Sequence, residues 1–274
     1  MVTATEPETK KAANLKTSTR IALIIEYDGT NYYGFQWQTN QPTVQKEIEK
    51  AIGKLTGEES RVAAASRTDT GVHARGQVVS FRTKSSLPYT TFVKGLNYYL
   101  PGDIAVKNAV KVDDSFNVRS KALRREYSYY IVNSQIRSPL NRGFTHLVTG
   151  QLDIGVMNEA CRVLIGKHDF ASFVTCLESS LKSTVRHVYQ AKVAKDGNLV
   201  TFNIVANSFL PHQVRNTVGA LIRVGLGKMT TDEFYGIFEA KRPSLAGPTA
   251  PACGLYLMRI IYPHPWEEIF NENL

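Results

Sequence analysis

"AAASRTDTGVHARGQVVSF", residues 63–81, reads as a strand, a loop and a second strand. Two extended segments are predicted at about 61–66 and 76–83, where small, apolar and β-branched residues run without helical spacing. The joining loop, SRTDTGVHA, holds Asp69-Thr70-Gly71, which is good turn chemistry. This strand pair fixes the middle of a larger order of elements.

On its N-terminal side, IALIIEYD (21–28) predicts a strand ending at Asp28-Gly29. TVQKEIEKAIGKL (43–55) places Val44, Ile48, Ile52 and Leu55 on one helical face, with Thr43 as the N-cap. On the C-terminal side, a helix over 89–100 turns Phe92, Val93, Leu96 and Leu100 inward, and IAVKNAVKV (104–112) is a strand. The first half therefore reads β-α-β-β-α-β. The second half repeats the order. EYSYYIVN (126–133) is a strand, and DIGVMNEACRVLIG is a helix with Ile154, Met157, Cys161 and Leu164 in phase. TVRHVYQAKV and NLVTFNIVANSF form a hairpin around Asp196-Gly197. HQVRNTVGALIRVG is a helix, a short helix spans about 231–239, and GLYLMRIIYP (254–263) is the last strand.

The expected fold is α+β: two ferredoxin-like halves joined into one mixed, largely antiparallel sheet flanked by helices. We expect a disordered tail over 1–18, an N-terminal half over 19–115 and a C-terminal half over 116–266. The repeat is one of element order, with no visible identity between the halves. Open sheets of this topology are common in RNA-recognition domains, which bears on function only by analogy.

A hydrophobic fraction of 43% fits a globular chain. No apolar run approaches the ~18–20 residues of a membrane span, and the first twenty residues lack the apolar core of a secretory signal. The three cysteines, Cys161, Cys176 and Cys253, are odd in number and never at C-x-x-C spacing, which argues against disulfide frameworks and zinc knuckles. The six histidines are scattered, with no H-E-x-x-H pair. A cytoplasmic protein with no metal and no membrane is expected. The net charge of +9 and pI of about 9.4 point to a polyanionic partner. The excess clusters: residues 119–142 hold Arg119, Lys121, Arg124, Arg125, Arg137 and Arg142 against one acid, Glu126.

Asp69 admits three readings. It is a turn residue, half of an aspartic-protease dyad, or a lone catalytic carboxylate. A dyad needs two carboxylates sharing one proton, and the chain has no second D-T-G or D-S-G. Arg67 nearby also works against proton sharing.

The third reading gains from a resemblance. RTDTGVHARGQVVSF closely resembles the R-T-D-x-G-V-H-A-x-x-Q-V signature of the tRNA pseudouridine synthase A family. YDGTNYYGFQWQ with TVQKEIEKAI is similar to that family's N-terminal block, and FNVRSKALRREYSYYIVN to the segment carrying its active-site tyrosine. HDFASF, NSFLPHQVRNTVGAL and APACGLYL are similar to its C-terminal blocks. The resemblance covers about residues 20–263. Thr70 stands where Ala is usual, and Phe35 and Trp37 where Trp and Arg are more typical.

The resemblance implies isomerisation of uridine to pseudouridine at positions 38–40 of the tRNA anticodon stem-loop. The N1–C1′ bond breaks, the uracil turns, and C5 bonds to C1′. No cofactor is implied, in keeping with the absence of nucleotide-loop motifs. Asp69 is then the nucleophile at C1′ or the base that takes a sugar proton. Arg215 is implied as its partner, and a guanidinium beside a carboxylate favours the charged form. Tyr127, and not Tyr129 or Tyr130, is implied to lie against the uracil. Arg67 is expected to touch phosphate or help open the stem, and Arg124 and Arg125 to contact RNA. A homodimer is implied as well. The alternative from another class is a non-catalytic RNA-binding protein of two RRM-like halves, although RGQVVSF lacks the internal aromatics of that motif.

Overall fold

The computed structural model describes residues 18–175 and 183–271. The expected tail lies outside these apart from Ser18, as does Cys176.

The first half runs β1 (Thr19–Tyr27), α1 (Val44–Thr56), β2 (Ala63–Ala64), β3 (His73–Thr83), α2 (Tyr89–Tyr99) and β4 (Ile104–Val112). Helix α1 begins where Thr43 accepts from the Lys46 amide, and it ends at Gly57 in the left-handed region. Val44, Ile48, Ala51 and Ile52 form its buried face. The second half runs β5 (Arg124–Asn133), β6 (His146–Val148), α3 (Ile154–Arg162), β7 (Gly166–Asp169), β8 (Val185–Asp196), β9 (Leu199–Ala206), α4 (Gln213–Gly225), α5 (Thr231–Ala240), β10 (Leu255–Ile261) and α6 (Trp266–Asn271). A 3-10 turn, Ala171–Phe173, follows β7, and another, Ala252–Gly254, precedes β10.

Ten strands share one sheet in the order β4-β1-β3-β10-β5-β9-β8-β7, with β2 on β3 and β6 on β5. Each half keeps the ferredoxin-like order, β4-β1-β3-β2 and β10-β5-β9-β8. Within each half these pairings are antiparallel. The halves meet where β10 runs parallel to β3, at Tyr256↔His73 and Leu257↔Ala74. Both β2 and β10 therefore use the same edge of β3, at different heights.

That sharing explains the largest departure from expectation. The strand expected over 61–66 shrinks to two residues, paired with Ser80 and Val79. At Ser66 the ladder is taken over by a side chain. Buried Gln77 donates to the Ser66 carbonyl (2.7 Å) and accepts from the Ser66 amide (3.3 Å). The backbone polar groups stay satisfied while the chain peels off the sheet. The peeled segment is the Ser66–Val72 loop.

The loop is braced from below. The Thr68 carbonyl accepts from the Phe35 amide at 3.1 Å, and the Tyr27 hydroxyl bonds Thr68 Oγ1 at 2.7 Å. Gly34 lies at φ +83, and a Cβ there would come 2.7 Å from the Thr68 carbonyl oxygen. The Val72 amide closes a turn on the Asp69 carbonyl, with Gly71 at φ +75 in the third position. That is the position where a type II turn wants glycine.

Candidate active site

The seam between the halves opens into a cleft of about 890 Å³. Its walls are the Ser66–Val72 loop, the Tyr33–Gln38 loop, Arg119, the start of β5 and the 208–215 segment entering α4. Four arginines line it (Arg67, Arg119, Arg125 and Arg215), and Asp69 is the one carboxylate.

Asp69 sits in the first position of the turn described above, so the turn reading is correct for its backbone. Its side chain does other work. Oδ2 lies 3.4 Å from Arg215 Nη1 and 3.6 Å from His212 Nε2. The carboxylate is about one-third exposed, open to the cleft.

Arg215 is held in place. Its Nε donates to the Ala250 carbonyl at 2.8 Å, and its own carbonyl accepts from the Ala250 amide. Helix α4 is buried on every side; of its thirteen residues only Arg215 and Arg223 are not. An arginine in the first turn is unfavourable to the helix dipole, and its side chain is only 17% exposed. A solvated surface charge is therefore excluded for Arg215. The ion pair with Asp69 accounts for its position.

Tyr127 lies on β5, between Ile204 and Leu257 of the neighbouring strands. It is buried, meets Phe209 edge-on at 5.2 Å, and shares a 2.9 Å hydrogen bond with Ser66 Oγ. Burial pushes its phenol up to about 12, opposed in part by the Ser66 bond, so the hydroxyl stays protonated at neutral pH. Tyr129 is buried elsewhere, with its hydroxyl on the Pro251 carbonyl, and Tyr130 packs on Tyr256 across the other face. Of the three, Tyr127 alone lines the cleft.

The adjacent arginines of β5 separate, because successive strand residues face opposite ways. Arg125 shares Tyr127's side, is 7% exposed, and spends both ends of its fork on carbonyls. Nη1 donates to Ala122 (3.1 Å) and Asn207 (2.6 Å); Nη2 donates to Ala65 (3.2 Å) and Arg119 (2.9 Å). Arg125, expected to contact RNA, lines the cleft with its guanidinium engaged by four carbonyls, and so ties three cleft walls together. Arg124 points to the opposite face, is exposed, and lies over the Tyr189 ring at 4.2 Å, outside the cleft lining. Arg67 is exposed and lines the cleft.

His212, Ser66, Phe209 and Arg119 belong to the site and were not singled out as site residues from sequence. For Arg119 the signal was present in the basic run. For His212 there was none: a lone histidine before a helix has no spacing pattern.

Fold and site together define an α+β protein whose one mixed sheet carries, at the seam of its halves, a basic cleft around a single carboxylate. The chain belongs to the tRNA pseudouridine synthase family, whose sequence profile matches residues 23–119 and 160–263. Among its relatives are tRNA pseudouridine synthase A of Thermoanaerobacter sp. (strain X514) and of Acetivibrio thermocellus. Each is 45% identical over 242 residues, covering 88% of this chain and 99% of the relative. The protein of the same name from Shewanella frigidimarina is 41% identical over 249 residues, covering 90% and 95%. These matches favour the enzyme over the non-catalytic alternative. Among the described residues, no helix is long and apolar enough to cross a membrane.

Proposed function

We propose that the protein isomerises uridine to pseudouridine at positions 38–40 of the tRNA anticodon stem-loop, with Asp69 as nucleophile or base. The observation that carries this reading is the pairing of Asp69 with Arg215 at 3.4 Å, beside the Tyr127 hydroxyl, at the base of a basic cleft.

A uridine in a stem or loop must be flipped out to reach Asp69, at a cost of a few kcal/mol. Stacking on an aromatic and phosphate contacts offset that cost. Arg67 and Arg119, exposed and both in the cleft, are placed to meet the backbone. Asp69 then attacks C1′, or takes a sugar proton to give a glycal-like intermediate. Arg215 fixes its carboxylate in either case. The freed uracil turns against Tyr127 until C5 faces C1′. C5 then bonds to C1′, which displaces the Asp69 carboxylate or, from the glycal, takes back the sugar proton; C5 loses its proton and N1 gains one, so the product is an isomer of the substrate.

The test is incubation with unmodified tRNA, followed by digestion and nucleoside chromatography. Pseudouridine should appear without any added cofactor; its absence from a folded preparation overturns the reading. We expect the active form to be a cytoplasmic homodimer, on the strength of the family resemblance. A sedimentation mass near one 30.5 kDa chain in an active preparation would contradict the dimer, and fractionation with membranes would contradict the location.

A further inference from the structure

Two groups reach Asp69, and both reach the same oxygen. Arg215 Nη1 and His212 Nε2 approach Oδ2 at 3.4 and 3.6 Å. Among the described residues no donor reaches Oδ1. We propose that His212 is a positioning residue of the reaction: with Arg215 it holds Oδ2, so that Oδ1 is the oxygen presented to the sugar. This rests on the function proposed above and adds to it a residue and an atom.

The imidazole has a defined donor direction. Its Nδ1 lies 3.1 Å from Thr175 Oγ1. A threonine hydroxyl can donate or accept, whereas an ionised carboxylate only accepts. With the Thr175 hydroxyl donating to Nδ1, the ring turns a protonated Nε2 to the carboxylate, and this is the tautomer that can donate to Asp69 once the contact tightens. The 3.6 Å separation is loose, as catalytic contacts often are before substrate binds.

The backbone supports a built position. His212 has φ +61 and ψ −2, a left-handed conformation uncommon for residues with a side chain. It stands at the N-cap of α4 without making a side-chain cap bond. The usual reason for a polar residue at that position, capping the first turn, is thus missing. What the conformation achieves is to aim the ring across the cleft wall at Asp69. Strain of this kind persists at functional sites, where the surrounding structure holds it.

Three variants separate this role from a backbone role. In His212→Gln the amide nitrogen reaches the place of Nε2 and keeps the donor. In His212→Asn it reaches only the place of Nδ1, although Asn tolerates the left-handed region better. His212→Gly tolerates it best and has no donor. Single-turnover rates, KM for tRNA and melting temperatures are measured on each, beside wild type and Asp69→Asn. We expect Gln within about threefold of the wild-type rate. Asn and Gly should be slower by about tenfold to a hundredfold, the size of one hydrogen bond to a charged group, with KM within about twofold and melting no lower than for Gln. Asn or Gly as fast as Gln overturns the proposal, as does a Gln variant as slow as Asn. A loss confined to KM makes His212 an RNA contact and also overturns it. Wild type that forms no pseudouridine would instead sink the underlying function, a result distinct from these.

Discussion

Replacing Arg125 with Met keeps most of the side chain's length and removes its donors. Four carbonyls lose a partner: Ala65, Arg119, Ala122 and Asn207. A hydrogen bond from a charged group contributes about 1.5–3 kcal/mol, so four independent bonds would total roughly 6–12 kcal/mol. The sum overstates the loss for two reasons. Only the bond to Ala65 is fully buried, so water from the cleft can reach the other carbonyls. The guanidinium's own desolvation cost also disappears with it. A net loss of about 3–5 kcal/mol remains, the usual cost of breaking a buried charged network. At this chain length 1 kcal/mol moves Tm by about 2 °C, so calorimetry should show a drop of roughly 6–10 °C. The control is one residue away. Arg124→Met removes an exposed cation–ring contact of about 0.5–1 kcal/mol and should move Tm by about 2 °C or less. Turnover of Arg125→Met should also fall well below its melting range, because Ala65 and Asn207 lead directly into the walls that carry Asp69 and His212. Equal Tm values for the two variants would refute the bracing role. So would an Arg125→Met protein of normal stability and weakened tRNA affinity, since its guanidinium would then be serving phosphate.

Tyr127→Phe keeps the ring on Phe209 and loses the bond to Ser66, at a stability cost of about 1 kcal/mol. If the hydroxyl handles the C5 proton, turnover should collapse while tRNA affinity holds; near-normal turnover would confine Tyr127 to stacking. Alkaline stability tests the buried phenols. Six of the thirteen tyrosines (Tyr27, Tyr32, Tyr127, Tyr129, Tyr256 and Tyr262) are buried, and burial raises each above its ordinary value, Tyr127 to about 12. Above about pH 10 the unfolded chain sheds phenolic protons that the native state keeps, so stability falls as pH rises. At about pH 11 the six buried phenols should contribute little tyrosinate absorbance until the protein unfolds; their ionisation at that pH in the folded protein would contradict this.

Elements whose signals are local were legible in the sequence. Thr43 and Gly57 bracket α1, and Asp196-Gly197 closes the β8–β9 hairpin where expected. Elements defined by a distant partner were not. Strand β2 is cut to two residues by the Gln77 side chain, and nothing in the spelling of 61–66 announces that an amide eleven residues later replaces the ladder. The helix expected to reach 166 stops at Arg162, and four-residue β7 forms because β8 offers it an edge. Helix α6 is short and follows a Pro-rich turn; its Trp266 and Phe270 pack on Phe116, distant in sequence at the start of the same half. The site shows the same division. The Asp69 loop could be read from its own residues, but the Arg215 partnership came from resemblance, because the two are 146 positions apart. Strand alternation predicts that Arg124 and Arg125 face opposite sides. It does not say which side is buried, so the split into an exposed Arg124 and a buried Arg125 is visible only in the structure.

The central claim is that the Asp69 carboxylate performs the chemistry. Asp69→Asn preserves the shape, and the Asp69–Val72 turn uses only backbone atoms, so the variant should fold. The measurement is tritium release from tRNA labelled at uridine C5, with a melting curve and a tRNA titration on the same preparation. The account predicts a folded variant that binds tRNA and releases no detectable tritium, because no neighbouring side chain replaces a covalent or proton-abstracting carboxylate. Release faster than about a hundredth of the wild-type rate would contradict it, since even a general base alone contributes roughly a hundredfold or more.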